Sequence, residues 1–410
     1  MDTNKHTNEL AAPENFSRDV ILMLALAGLG FMVDVYDMAL FGVVRVQSLT
    51  SLGVSGAEAL SAGVLLLNWQ MAGMAVGGML WGVLGDKRGR RSILLGAIVL
   101  YSIANIANAF VSSIETYAAA RFFVGVGLAG EVGAAMTIAA EVTPKSLRAY
   151  GTAGVAAFST VGAILASVLG HLMPWRMAYL TAGAAGLALL LARFSLKETV
   201  FFQNMQSKSI ERGSFRLLLS NRYRILKLIR CVLAAAPLWF ALAVIVSFAP
   251  EISGNASITV AACIPFSAIG ESIGEFLSGI VSQFLQSRRL TMFVFLAAGS
   301  AFVLPIVHCP ANFYAPLCLP LLLFLGYWSV AITTTAEQFG TNLRATATSL
   351  VPNFVRASAI PVTCLFTALS SRFGPQNAAI VVGAISCVAA AISIYFMEET
   401  AGKDLDFIER

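Results

Sequence analysis

Charged residues are scarce in this chain of 410 residues, where Asp, Glu, Lys and Arg together make up only 12%. A soluble domain carries about twice that share, so the scarcity excludes an ordinary soluble protein. Hydrophobic residues account for 58% of the chain, and the mean hydropathy is +0.78. We therefore predict a helical protein that crosses a lipid bilayer many times.

Histidine and cysteine are also rare, which limits the chemistry that the chain can perform. None of the three histidines has neighbours at the spacing of a metal site. The six cysteines lie in or beside apolar segments, and only Cys309 and Cys318 flank the same outer loop. We expect free cysteines, no metal, no cofactor and no catalytic cluster. The first nineteen residues lack the features of a secretory signal, so we expect none to be removed.

Twelve apolar segments are long enough to be transmembrane helices. They cover residues 20–44, 59–84, 91–111, 116–141, 149–171, 176–196, 228–250, 258–285, 289–308, 313–336, 345–370 and 376–397. A long basic stretch separates the sixth segment from the seventh. The predicted domains are an N-terminal tail at 1–19, a six-helix domain at 20–196, a linker at 197–227, a second six-helix domain at 228–397 and a tail at 398–410.

The distribution of Lys and Arg predicts the orientation. Of the 27 cations, 22 fall on one side when both termini are placed there, and only Arg45, Arg176 and Arg372 fall on the other. Arg121 and Arg356 lie within segments. Because cations are retained on the cytoplasmic side, both termini are predicted to be cytoplasmic in a bacterial inner membrane. The net charge of +5 is spread over these loops, so nucleic acid is not expected as a partner.

The two halves of the chain repeat each other. AEVTPKSLRAYGTA at 140–153 aligns with AEQFGTNLRATATS at 336–349, and GIVSQFLQSRR from Gly279 is a partial copy of GVLGDKRGRR at 82–91. Internal duplication is typical of secondary transporters, whose substrate site lies between the halves. We therefore predict an all-α membrane fold with twelve transmembrane helices in two pseudo-symmetric six-helix bundles.

The stretch GVLGDKRGRR between the second and third segments matches the signature G-x-x-x-D-[RK]-x-G-R-[RK] and resembles the major facilitator superfamily. The resemblance implies that two six-helix domains rock about a central site, and that a cytoplasmic gate of ion pairs joins them. The gate residues that it implies are Gly82, Asp86, Arg90, Glu141, Arg148, Glu337 and Arg344. Glu141 and Arg148 in the first half are seven residues apart, and so are Glu337 and Arg344 in the second half.

Seven charged residues lie within the predicted segments, where a charge is costly and therefore marks function. They are Asp34, Asp37, Arg121, Glu131, Glu271, Glu275 and Arg356. Five acids face two bases, so three carboxyls lack a cation and are expected to hold protons or to face water. That excess favours a proton-coupled carrier, and a wet cavity without coupling is the alternative.

The stretches GLGFMVDVYDMALFG and ARFFVGVGLAGEVG resemble the first and fourth helices of proton-coupled phosphate and sugar porters. The resemblance places the arginine of the fourth helix at Arg121. Counting from the outer helix ends puts Asp37 about 12 Å deep and Arg121 about 9 Å deep, so Asp37 is the predicted coupling acid. Asp34 is a second candidate proton site, and Glu131 is an acid that such porters also carry. The glycines around Glu131 predict close helix packing.

Glu275 and Arg356 are predicted to form the matching polar pair of the second half, because both lie about 20 Å from the inner end of their helices. Glu271, one turn from Glu275, is expected to share the arginine or to keep a proton. The rival interpretation is that Arg356 faces the central cavity and binds an anionic substrate directly.

These features favour a secondary active transporter that imports a small organic solute or anion together with protons, driven by the proton gradient and working as a monomer in the bilayer. A proton-driven exporter of a metabolite or drug is the alternative within the same superfamily. Exporters usually carry a Gly-Pro pair in the fifth helix, and residues 149–171 contain no proline. A membrane enzyme or receptor would need a catalytic cluster or a large soluble domain, and the sequence has neither.

The predicted orientation is tested by single cysteines introduced at Ser207 and at Ser253 in a background without the six native cysteines. We expect an impermeant thiol reagent to label Ser253→Cys in intact cells, and Ser207→Cys only after permeabilisation, because the linker is cytoplasmic. Labelling of Ser207→Cys but not Ser253→Cys in intact cells would overturn the orientation.

Overall fold

The computed structural model describes residues 18–88, 90–142, 148–193, 218, 220–255 and 257–402. The first half of this part of the chain forms six helices, which match the first six predicted segments. They are α1 (Arg18–Ser51), α2 (Ala57–Arg88), α3 (Arg90–Asn108), α4 (Ile114–Val142), α5 (Arg148–Leu172) and α6 (Trp175–Arg193). Most of the predicted linker lies outside the described residues.

The second half crosses the membrane in more interrupted helices. In chain order they are α7 (Arg222–Phe240), a π-helical segment (Ala241–Val246), α8 (Ala249–Ser253), α9 (Val260–Leu285), α10 (Arg288–Ser300), α11 (Val303–His308), α12 (Ala311–Leu325), α13 (Trp328–Gln338), α14 (Thr341–Ala357) and α15 (Ala359–Tyr395). The seventh predicted segment begins at Arg222 instead of residue 228, because Asn221 caps the helix there by accepting the N–H of Tyr223.

Eight stretches of the described chain are long and apolar enough to cross a membrane. The longest, Thr346–Tyr395, contains Gly374 with a φ of 80°, a conformation that favours glycine, and Pro375 opens the helix that follows. The chain turns there, between the eleventh and twelfth predicted segments. All six cysteines are free, including Cys309 and Cys318, as the sequence predicts.

Glycines set the closest helix contacts within each half. On α2 and α4, a Cβ at Gly73 would meet the carbonyl oxygen of Phe122, and one at Gly125 would meet that of Gln70. In the second half, a Cβ at Gly274 on α9 would meet the carbonyl oxygen of Leu323 on α12. Backbones that approach this closely gain van der Waals contact, which is the main attraction between helices in lipid.

The two halves meet along two seams. On one seam, the hydroxyl of Ser167 on α5 donates to the carbonyl of Ala261 on α9, at 2.6 Å. On the other, the hydroxyl of Thr363 on α15 donates to Asn68 on α2, at 2.7 Å. These seams leave a central cavity between the halves, at the place where the duplicated sequence predicts a substrate site.

The glycine contact between α2 and α4 yields a stability prediction. We expect Gly125→Ala to lower the stability of the detergent-solubilised protein by about 1–3 kcal/mol, because the added methyl group forces two backbones apart. The matched control is Gly279→Ala on α9, where a Cβ meets nothing within 4 Å. Thermal unfolding of both variants gives the comparison, and equal midpoints would contradict the packing role of Gly125.

Candidate functional site

Three buried guanidinium groups each pair with one buried carboxylate in the middle of the molecule. The pairs are Arg121 with Asp37, Arg193 with Glu131 and Arg356 with Asp34, at nearest distances of 3.6, 2.9 and 2.8 Å. Only Arg121 and Arg356 count as bases well within the predicted segments, so Arg193 is not expected from the sequence. With three bases paired, two of the five acids are left without a cation, and these are Glu271 and Glu275.

Asp37 and Arg121 lie together inside the first half, as their depths predict. Gln70 of α2 links them, because its amide N–H donates to Asp37 at 3.2 Å and its carbonyl oxygen accepts from Arg121. The guanidinium of Arg121 lies 4.6 Å above the ring of Phe41, so a cation–π contact helps to stabilise its charge. One oxygen of Asp37, Oδ1, has no hydrogen-bond partner among the described residues.

Arg356 joins the two halves. Its two terminal nitrogens donate to the two oxygens of Asp34, at 2.8 and 3.4 Å, so α14 of the second half is bonded to α1 of the first. The predicted pair of Arg356 with Glu275 is therefore wrong. Helix counting gives only the depth of a residue, and Asp34 occupies the same depth on the facing helix.

Arg193 is a buried cation that the sequence does not reveal, because it stands at the end of an apolar run and counts there as a loop cation. It is buried at the end of α6 and donates to both oxygens of Glu131, at 3.0 and 2.9 Å, and to the carbonyl of Leu26. The sequence does contain one signal for this cation. Glu131 is an acid inside a predicted segment, and a carboxylate there needs a cation. Glu131 is thus part of a structural pair within the first half.

The central cavity has a volume of about 160 Å³, which is room for a small solute as well as for water. Its wall includes Glu271 and Glu275 of α9, Arg356 of α14, and the aromatic side chains of Trp239 and Trp328. Neither glutamate has an ion-pair partner among the described residues. Asp37 and Arg121 are not in the wall, since both are fully buried behind it.

Arg45 joins the two halves near the end of α1 that is predicted to face outward. Helix α1 runs past the predicted end of the first segment, so Arg45 is buried instead of lying in a loop. Its Nη2 is 2.6 Å from Glu251 and 3.2 Å from the carbonyl of Ser247, and the guanidinium lies 4.5 Å above the ring of Phe248. Glu251, Ser247 and Phe248 belong to the second half. We call this set of contacts the outer latch.

The predicted cytoplasmic gate is described only in part. Gly82 is half-buried in α2, whereas the side chains of Asp86, Arg90, Glu141 and Arg148 lie outside the described part of the structure. Their role in a gate therefore stays a prediction.

Both gate residues of the second half make bonds within that half. Glu337 pairs with Arg288 at 3.2 Å, and Arg344 donates to the carbonyl of Ala336. Close by, Glu399 accepts the backbone N–H of Arg288 at the start of α10, at 2.9 Å. Burial acts to raise the pKa of Glu399, but this bond and others from Ser287 and neighbouring backbone N–H groups hold it below its usual range. These contacts tie the inner helix ends of the second half together.

Comparison with known proteins assigns the family. The model of the Major Facilitator Superfamily matches residues 22–362. The putative niacin/nicotinamide transporter NiaP of Bacillus subtilis is 23% identical over 386 residues, covering 91% of this chain and 93% of that protein. The cis,cis-muconate transport protein of Acinetobacter baylyi is 27% identical over 359 residues, covering 82% of this chain and 85% of that protein.

Solved structures agree on the fold. The xylose transporter XylE from E. coli, in a partially occluded inward open conformation, superposes with a TM-score of 0.76 at 17% identity, covering 95% of this chain and all of that one. At this identity the likeness establishes the fold alone. Since the family model matches most of the 410 residues, the chain belongs to the Major Facilitator Superfamily, and it is a membrane transporter and not an enzyme.

Proposed function

We propose that this transporter imports a small organic solute together with protons across the bacterial inner membrane, by rocking of its two halves about the central cavity. The observation that carries the proposal is the buried pair of Asp37 and Arg121. The carboxylate lies 3.6 Å from its cation, beyond hydrogen-bond distance, and its Oδ1 has no partner at hydrogen-bond distance in the part of the chain that the structure describes. A buried carboxylate takes up a proton when its cation moves away, so small movements of Arg121 would load and release a proton.

The proposed substrate is a small organic molecule, because the cavity is small and mostly apolar with a few polar groups. Relatives named for niacin and for cis,cis-muconate support this class. Arg121 and Arg356, the two arginines within predicted segments, are both paired with carboxylates of the protein. They therefore give no support to a specifically anionic substrate.

Proton-driven export remains the second candidate, since exporters share the fold. The fifth helix, α5, contains no proline, which separates it from the Gly-Pro pattern that exporters usually carry. The direction is decided in proteoliposomes of known orientation. Import predicts accumulation of solute when the side corresponding to the periplasm is made acid, and export predicts loss of solute under the same gradient.

Asp37→Asn tests the coupling step. We expect this nearly isosteric change to abolish accumulation driven by a proton gradient while leaving exchange of solute across the membrane intact, because the amide binds no proton in this range. Uptake and exchange are measured in the same proteoliposomes, and thermal unfolding confirms that the variant is folded. If the variant still accumulates solute with the pH dependence of the original chain, Asp37 is not the coupling acid.

A substitution in the outer latch tests the rocking movement. In a background without native cysteines, Ala39→Cys places a thiol on the cavity wall below Arg45. Because removal of one partner of a buried ion pair is strongly destabilising, we expect Arg45→Gln to favour the outward-open state and to speed labelling from outside by at least about tenfold.

The matched control is Arg176→Gln, because Arg176 is an outer cation that lies over Trp175 and donates to Val111, all within the first half. The labelling rate in this variant should stay at that of the parent. Equal rates in the Arg45 and Arg176 variants would contradict a latch between the halves.

A further inference from the structure

The charge of the central cavity follows from which groups in its wall are already paired. Three charged side chains of the described chain line it, namely Glu271, Glu275 and Arg356. Arg356 makes two bonds to Asp34, so together these two are neutral. Glu271 and Glu275 are therefore the acidic groups of the wall that no cation of the described chain neutralises.

The two glutamates are held firmly in place on α9. They are four residues apart and therefore lie on one face of the helix. Gly326 packs so closely on the backbone of Glu271 that a Cβ there would lie 3.0 Å from its carbonyl oxygen. The hydroxyl of Ser329 donates to the carbonyl of Glu275 at 2.7 Å. These contacts fix the backbone of both glutamates, whose side chains line the cavity.

Aromatic side chains complete the same cavity. Trp328 of α13 and Trp239 of α7 line the same cavity as the two glutamates. Both indoles are half-buried and border the open space. The face of an indole attracts a cation, and carboxylates combined with aromatic faces are the usual means of recognising an ammonium group.

We infer that the transported solute carries a positively charged nitrogen, which Glu271 and Glu275 bind against the faces of Trp239 and Trp328. The inference rests on the proposed transport function and narrows its substrate class. An anion is disfavoured on two counts. It would have to displace Asp34 from Arg356, leaving that carboxylate buried without its cation, and it would stand beside two more carboxylates.

The test uses three molecules that share one ring and differ in charge. They are 1-methylnicotinamide, a cation, nicotinamide, which is neutral, and nicotinate, an anion, and choline serves as a second cation. Binding to the purified full chain is measured by thermal stabilisation and calorimetry. We expect the cations to bind at least about tenfold more tightly than the neutral or anionic compound.

Two variants locate the binding. Glu271→Gln and Glu275→Gln should each weaken cation binding by about tenfold or more, because each removes one carboxylate from the wall. The matched control is Glu58→Gln, an exposed carboxylate in the first turn of α2 that lies outside the cavity. Cation affinity should be unchanged in this control. Preference for nicotinate, absence of cation binding, or cation binding that both cavity variants retain would overturn the inference.

Proton influx, followed with a trapped pH dye in proteoliposomes, separates this inference from the proposed function. If nicotinate or nicotinamide drives proton influx and the cations do not, the coupled symport stands and the charge assignment fails. If the cations bind through the two glutamates but move no protons, the charge assignment stands and the coupling fails.

Discussion

A guanidinium group buried among helices needs a counter-charge, and Arg121, Arg193 and Arg356 each have a buried one in this structure. Leaving one alone would cost several kcal/mol, more than most single packing changes. Each is therefore met by a carboxylate from a different helix, and these pairs decide which helices must face one another. Two of the pairs fix the interior of the first half. The third, between Arg356 and Asp34, connects the halves at their centre.

The outer latch adds a second charged connection between the halves. Arg45 reaches Glu251 at the outer end of the molecule, whereas Arg356 reaches Asp34 near its middle. When two rigid bodies rotate about a central axis, contacts near the axis move little and contacts at the ends move far. In the proposed rocking movement, the central pair would therefore move little, whereas the outer latch would break.

The sequence predicts the fold well, because its signals are long-range averages of composition. An error of a few residues in the helix bounds does not change the prediction from apolar length, from the duplicated halves or from the turn near Gly374. The pairing of Asp37 with Arg121 is also predicted from depth, because both depths are counted from helix ends in the same half. Depth alone fails for Glu275 and Arg356, because it says nothing about which side of a helix a residue occupies. Arg193 is missed for another reason, namely that a basic residue at the end of an apolar run resembles any loop cation.

The contact at Gly30 restricts how this chain can change over time. A Cβ at this position on α1 would fall on the guanidinium of Arg193 and lie 2.5 Å from an oxygen of Glu131, so a larger residue fits only if those two side chains shift. Loss of either charge alone would leave the other buried without its partner. A substitution at Gly30 therefore disturbs the same ion pair as a substitution of Arg193 or Glu131, although Gly30 lies on a third helix.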